Sequence, residues 1–297
     1  MPRGREHPPP ARPRAGSRGR KGAGAGGRAG AYFEETSTIR RIHRERAVAL
    51  SGARALLMQA AHPLAVVGLL AHTSALDEPY DRLARTAETM STIVFGSRAD
   101  ADRVTRRVRA MHRRVSGRLA EPVGRWEAGT PYRADDPQLL LWVLFTLVDS
   151  ALVVYRWYVG PLTREEESAY WEDYKIVGGL FGLSARDMPD TLDDLDAYRI
   201  RMLEGDELFV TDWARKRARE IVLSPPVPWL AQPLLKTANF ITVALLPDVV
   251  REQYGFSPVP PPLMRKALVA GGAEYVRRAV IPLLPDRLRL VPGARAA

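Results

Sequence analysis

The chain of 297 residues contains no cysteine. That absence excludes disulfides, iron–sulfur clusters, thiolate-ligated or covalently attached c-type haem, and mechanisms built on a cysteine nucleophile. Acids are scarcer than cations, 34 Asp and Glu against 44 Lys and Arg, for a formal net charge of +10. The excess is local. Arg3, Arg5, Arg12, Arg14, Arg18, Arg20, Lys21 and Arg28 against Glu6 place +7 in the first 30 residues and leave +3 for the rest. A basic balance ordinarily suggests nucleic acid, but here it describes a tail without an aromatic residue before Tyr32 on which bases would stack. No nucleic-acid partner is expected. The tail also lacks apolar periodicity, cannot offset the entropy of ordering, and is predicted to be disordered over 1–30. No apolar stretch follows its cations, as a secretory signal requires, so the expected location is cytoplasmic. Period-two alternation is nearly absent, and the chain shows no internal repeat.

What is there reads as helix after helix from Thr38 onward. Residues 47–60 are strong helix formers. His62-Pro63 interrupts them, because a residue before proline is pushed out of the α region, and Pro63 opens the next helix. Together the two resemble a membrane span by hydropathy. Arg54, Gln59, His62 and the proline break argue instead for a buried core around something polar, with no transmembrane segment. Over 80–95, Leu83, Ala87, Met90 and Val94 form one stripe, and Gly96 ends the helix. Ser97 and Asp100 carry a capping-box pattern for a helix with Val104, Val108, Met111, Val115 and Leu119 on its apolar face. Asp135 and Asp136 before Pro137 mark the start of a nearly all-apolar helix from Leu139 to Tyr158, expected at the centre. Thr163–Glu166 and Ser184–Asp187 repeat the capping pattern and predict two further helices. A Pro-rich segment at 225–233, an apolar helix at 234–246, a Pro-rich linker at 258–262 and a last helix at 263–281 complete the chain.

Between His62 and His112, histidines on apolar helix faces accompany a cationic cluster. That combination suits a buried anionic cofactor such as haem. A neutral imidazole is a good iron donor, which makes His112 the candidate axial ligand; the bland alternative is a core histidine satisfied by a carbonyl. Arg82, Arg85 and Thr86 occupy i, i+3 and i+4, so their side chains can converge on propionate carboxylates. Their position beside the apolar stripe favours Arg82 and Thr86 over Arg85, and a solvated basic edge is the alternative. Arg82, His62 and His72 are the catalytic candidates, with helix-boundary roles as the alternatives for the two histidines. Asp149 lies in the most apolar helix, where a charge is costly unless paired. Its partner is either a pocket arginine or histidine, beside the cofactor, or a structural counter-ion. His7 and His43 receive no function.

Six segments carry a resemblance. They are Ala61-His62-Pro63, Arg82 with Arg85-Thr86, Val94-Phe95-Gly96, His112-x-x-Val115-x-Gly117, Pro131-Tyr132-x-Ala134-x-Asp136-Pro137 and Val148-Asp149-Ser150. In order and spacing the chain resembles the MpaB-type oxygenases, which include the latex-clearing rubber oxygenases, over roughly 38–290. The resemblance implies an all-α fold, b-type haem with His112 as its axial ligand, and oxidation of isoprenoid chains with dioxygen. Two departures qualify it. Arg85 stands where the rubber oxygenases carry a lysine able to approach iron, and arginine stays protonated. The distal glutamate base of those enzymes has no counterpart nearer than Asp77 and Glu78, in a predicted turn.

The chain is therefore read as a basic tail, 1–30, and one all-α globular domain, 31–297, enclosing a haem pocket. The expected function is a haem b-dependent oxidoreductase using dioxygen on an apolar small molecule such as a terpenoid or unsaturated lipid. The alternative is a non-catalytic haem or lipid carrier. Peripheral membrane contact stays open, and no electron donor is identified.

Overall fold

Asp136 and Pro137 set the start of the helix around which the protein is built. In the computed structural model the Asp136 carboxylate accepts from the Gln138 backbone N–H at 2.8 Å, and Pro137 occupies the first turn, where a missing N–H costs nothing. The described residues are 30–72, 79–218, 240–256, 271–272, 274, 277–278 and 285–291, with backbone alone for 68–72, 79–83 and 288. The predicted tail up to residue 29, both Pro-rich segments, Asp77 and Glu78, residues 234–239 of the predicted 234–246 helix and most of the 263–281 helix lie outside them; of the 234–246 segment, 240–244 is helical.

In chain order the elements are α1 (Thr38–His43), a 3-10 turn (Arg46–Leu50), α2 (Ser51–Ala60), α3 (Pro63–His72), α4 (Pro79–Phe95) and α5 (Arg98–His112). A small antiparallel hairpin follows, β1 (Ser116–Arg118) and β2 (Pro131–Arg133), with Gly117 opposite Tyr132. Then come α6 (Pro137–Tyr158), α7 (Arg164–Phe181), a 3-10 turn (Ala185–Asp187), α8 (Leu192–Glu204), α9 (Asp212–Ala218), α10 (Asp248–Gln253) and α11 (Asp286–Arg289). The fold is mostly helical, as the sequence pattern predicts.

Helix α6 packs on α2 and α7. Trp142, Phe145, Val148 and Ala151 on it are buried, and each large apolar side chain so placed contributes roughly 1.5–3 kcal/mol. Among the described residues α6 is long and apolar enough to cross a membrane, yet here most of its length is covered by protein. Helix α7 begins with the predicted capping box, Thr163 with Glu166, and ends at Gly182, whose φ of 109° needs a residue without a Cβ. At the far end of the chain the Glu45 carboxylate accepts from Arg289 Nε and Nη2, both at 2.8 Å. That clamp ties α11 across the turn between α1 and α2.

Two predicted boundaries move. The apolar stripe through Val115 and Leu119 reads as one long helix, but α5 stops at His112. Gly117 is a poor helix residue, and extended pairing with residues 131–133 buries both Leu119 and Tyr132; Met111, counted on the apolar stripe, is 53% exposed. Ser184–Asp187 does form a capping box, but over a 3-10 turn only. Met188 precedes Pro189 and is held extended at φ −115°, ψ 143°, so α8 waits for a second box, Thr191 with Asp194.

Candidate active site

Gly96 is the corner from which the site is built. A Cβ there would lie 2.4 Å from the Thr92 carbonyl oxygen, so only glycine closes α4 in this way. The Ser97 side chain accepts from the Asp100 backbone N–H, starting α5 after a two-residue link. Helices α4 and α5 pack on each other and so run back to back. The 15 residues of α5 span about 22 Å, the length an antiparallel return along α4 needs to set His112 level with residues 82–86.

His112 belongs to the inner stripe of α5. Ala101, Thr105, Val108 and His112 follow at i, i+4, i+7 and i+11. Ala101 and Thr105 are 1% and 2% exposed, while Val108 and His112 are half-buried, and the His112 Nδ1 is shielded from solvent. On α4, Arg85 and Thr86 are exposed. Arg82 lies on the backbone of the same helix and His72 ends α3; their side chains are outside the described residues. His112, Arg85 and Thr86 thus come from two packed helices. As a donor set, one imidazole with guanidinium and hydroxyl groups suits a single-histidine haem with carboxylate tails. Among the described residues no three His, Asp or Glu side chains gather as a metal cluster.

The hairpin after His112 joins this end to α3 and α6. The Val115 N–H donates to the His112 carbonyl, and the Ala134 N–H donates to the Val115 carbonyl, both at 2.9 Å. Tyr132, Leu119, Leu64 and Leu139 form one buried cluster with Trp126 and Val67 packed against it. A Cβ on Gly117 would stand 2.4 Å from the Tyr132 hydroxyl, which accounts for this glycine in the motif.

His62 adjoins that cluster. It is 5% exposed, its ring lies 5.6 Å from Trp126, and its Nδ1 meets no hydrogen-bond partner among the described residues. Burial pushes its pKa down to about 4, against a smaller upward pull from the Asp136 carboxylate. His62 is therefore a neutral imidazole at pH 7. Its backbone serves the helix boundary as well, the carbonyl accepting from the N–H groups of Ala65 and Val66.

Asp149 is paired with Arg54. Its Oδ2 lies 2.6 Å from Arg54 Nη1 as an ion pair whose geometry falls short of a directed hydrogen bond. Arg54 Nη1 donates instead to Ser150 Oγ at 2.7 Å, and Nε donates to the Leu245 carbonyl at 2.8 Å. Gln59 Nε2 donates to Thr146 Oγ1 at 3.0 Å. Arg54 and Gln59 of α2 are thus both engaged with α6.

Sequence reading missed His43. Its Nε2 is hydrogen-bonded to the hydroxyls of Tyr170 at 2.9 Å and Tyr174 at 3.0 Å, and burial lowers its pKa to about 4. Both tyrosines are fully buried. Their i, i+4 spacing on α7 was the available signal, but nothing local connects them to α1.

Residues 40–280 match the family described as "ER-bound oxygenase mpaB/B'/Rubber oxygenase, catalytic domain". No curated protein and no solved structure matches the chain.

Proposed function

The chain belongs to the mpaB/rubber oxygenase catalytic-domain family, and from that premise we propose that it is a haem b-dependent oxygenase of an apolar, unsaturated small molecule such as a terpenoid or lipid. The observation that carries the cofactor is the position of His112, half-buried on the inner stripe of α5, a helix that packs on α4. When bound, haem supplies a reduced iron that activates dioxygen for attack on an unsaturated chain.

His112 would hold the iron through one ring nitrogen. Arg85 and Arg82 would meet the propionates as charge-assisted donors, with the Thr86 hydroxyl beside them. Arg85 stays protonated, so it binds carboxylate rather than iron. His62, neutral and with an unpartnered Nδ1, is the imidazole we assign to proton exchange beside the hairpin. His72, the last residue of α3, is a second candidate for that role. The apolar residues of α4, α5 and the hairpin would keep water away from the substrate.

The absorbance spectrum of the purified full chain tests the reading. A Soret band that acid–acetone extraction removes is expected. Protein that is colourless and takes up no added haemin refutes the cofactor. Turnover is tested by incubating the reduced protein with terpenoid and unsaturated-lipid pools under labelled dioxygen, with label expected in a product. Haem retention without consumption of any substrate or oxygen would leave a carrier.

A further inference from the structure

The outer face of α5 and the turn that follows it carry a charge pattern that the site does not use. Arg106, Arg107, Arg109, Arg113 and Arg114 are all exposed, and Met111 among them is exposed at 53%. The side chains of Arg106, Arg107, Arg113 and Arg114 make no hydrogen bond or ion pair among the described residues. The acids of the same helix are already engaged, Asp100 by Arg103 and Asp102 by Tyr32. Acidic side chains collect elsewhere, at the starts of α7 and α8 with Glu165, Glu166, Asp193 and Asp194. The body of the protein is nearly neutral, so this is a separation of charge rather than a general excess.

We infer that the outer face of α5 is a docking surface for an anionic lipid bilayer. Each guanidinium near such a surface gains from its negative potential, and a field of this shape turns α5 toward the membrane and α7–α8 away. A bare arginine face would suit nucleic acid equally well. The exposed Met111 decides for lipid, because an unbranched apolar side chain between arginines gains by entering the headgroup–acyl boundary and has no comparable partner along a phosphate backbone. The Arg-rich first 30 residues supply a second attraction of the same sign, and two weak signals together hold a protein where one does not. The docking stands on the arginine face alone. Only its purpose, drawing an apolar substrate from the bilayer into a site on the inner stripe of the same helix, rests on the function proposed above.

The test uses flotation of the full chain with vesicles of phosphatidylcholine alone and with phosphatidylglycerol admixed. Binding to the mixed vesicles only, weakening as salt rises, is expected. Changing Arg106, Arg107, Arg113 and Arg114 to Gln should lower the partition coefficient by roughly fivefold per charge removed, with helicity by circular dichroism unchanged. Because the chain has no cysteine, Met111→Cys provides one labelling site. An environment-sensitive dye there should shift to the blue on the mixed vesicles. Unchanged flotation of the four-arginine variant would assign any lipid binding to the tail and overturn the proposal. So would an unshifted dye, or displacement from vesicles by a single-stranded RNA that binds more tightly. Lipid binding is read without turnover, so it stands or falls separately from the oxygenase reading.

Discussion

Arg54 and Asp149 stand far apart in the chain and 2.6 Å apart in the fold, on the two helices that pack most extensively against each other. Both side chains are nearly or largely shielded from water, at 4% and 14% exposure. Removing one partner leaves the other charge buried. Asp149→Asn or Arg54→Met is expected to lower stability by about 3–5 kcal/mol, while Arg54→Met combined with Asp149→Leu should recover much of that loss. Urea unfolding of the three variants measures it; a double variant as unstable as the sum of the singles would mean that the pair is not one unit.

Haem retention separates two histidines. His112→Ala should purify with little or no Soret absorbance. His43→Ala should keep the cofactor while losing stability, by about 1–3 kcal/mol, since the hydroxyls of Tyr170 and Tyr174 lose their shared partner. Equal haem content in the two variants would remove His112 as the ligand. Arg85→Ala, compared in the same experiment, should weaken haem affinity roughly tenfold or more, as loss of one charge-assisted bond does.

Acidification should destabilise the fold through its buried imidazoles. His43 and His62 both have pKa values pushed down to about 4 from 6.5, so in the folded state they stay neutral where the unfolded chain takes up protons. Their contribution is fully present above pH 6.5, is lost as the pH falls toward 4, and changes no further below that. For His62, which is 5% exposed, the loss is on the order of 3 kcal/mol. His62→Gln should flatten this part of the stability–pH curve. A variant with the wild-type slope between pH 6.5 and 4 would show that His62 is not protonated on unfolding in that window.

Gly117→Ala should disturb the hairpin, because the new methyl would stand 2.4 Å from the Tyr132 hydroxyl. A loss of about 1–3 kcal/mol is expected. Pairing it with Tyr132→Ala should cost less than the two changes added together, as a relieved clash requires. Thermal melts of the single and double variants report it.

Much of the architecture was readable along the chain because it rests on contacts within four residues. Asp136 with Pro137 and Thr163 with Glu166 satisfy orphan helix N–H groups locally, so α6 and α7 begin where their residues say. The all-helical class follows from the 3.6-residue spacing of apolar positions, and His112 falls on the inner stripe of α5 by that same spacing. Where a longer-range contact competes with a local pattern, the pattern misleads. The stripe through Val115 and Leu119 continues in helical register, yet Gly117 is a poor helix residue and the chain pairs with residues 131–133, burying Leu119 and Tyr132, so α5 ends at His112. Ser184 and Asp187 form their box, and Pro189 limits it to one turn.

The sequence by itself determined the starts of α5, α6 and α7, the helical class and the candidate set His62, Arg82, Arg85, Thr86 and His112, because each depends on residue type and local spacing. Only the tertiary structure decided partners. Asp149 faces Arg54, His43 faces Tyr170 and Tyr174, and Glu45 holds Arg289, none of which any local rule connects. The physical reason is that the desolvation of a buried charge or imidazole is offset by whichever group the packing of distant helices delivers to it. That choice is made by the core as a whole, around α6, and not by the residue that needs the partner.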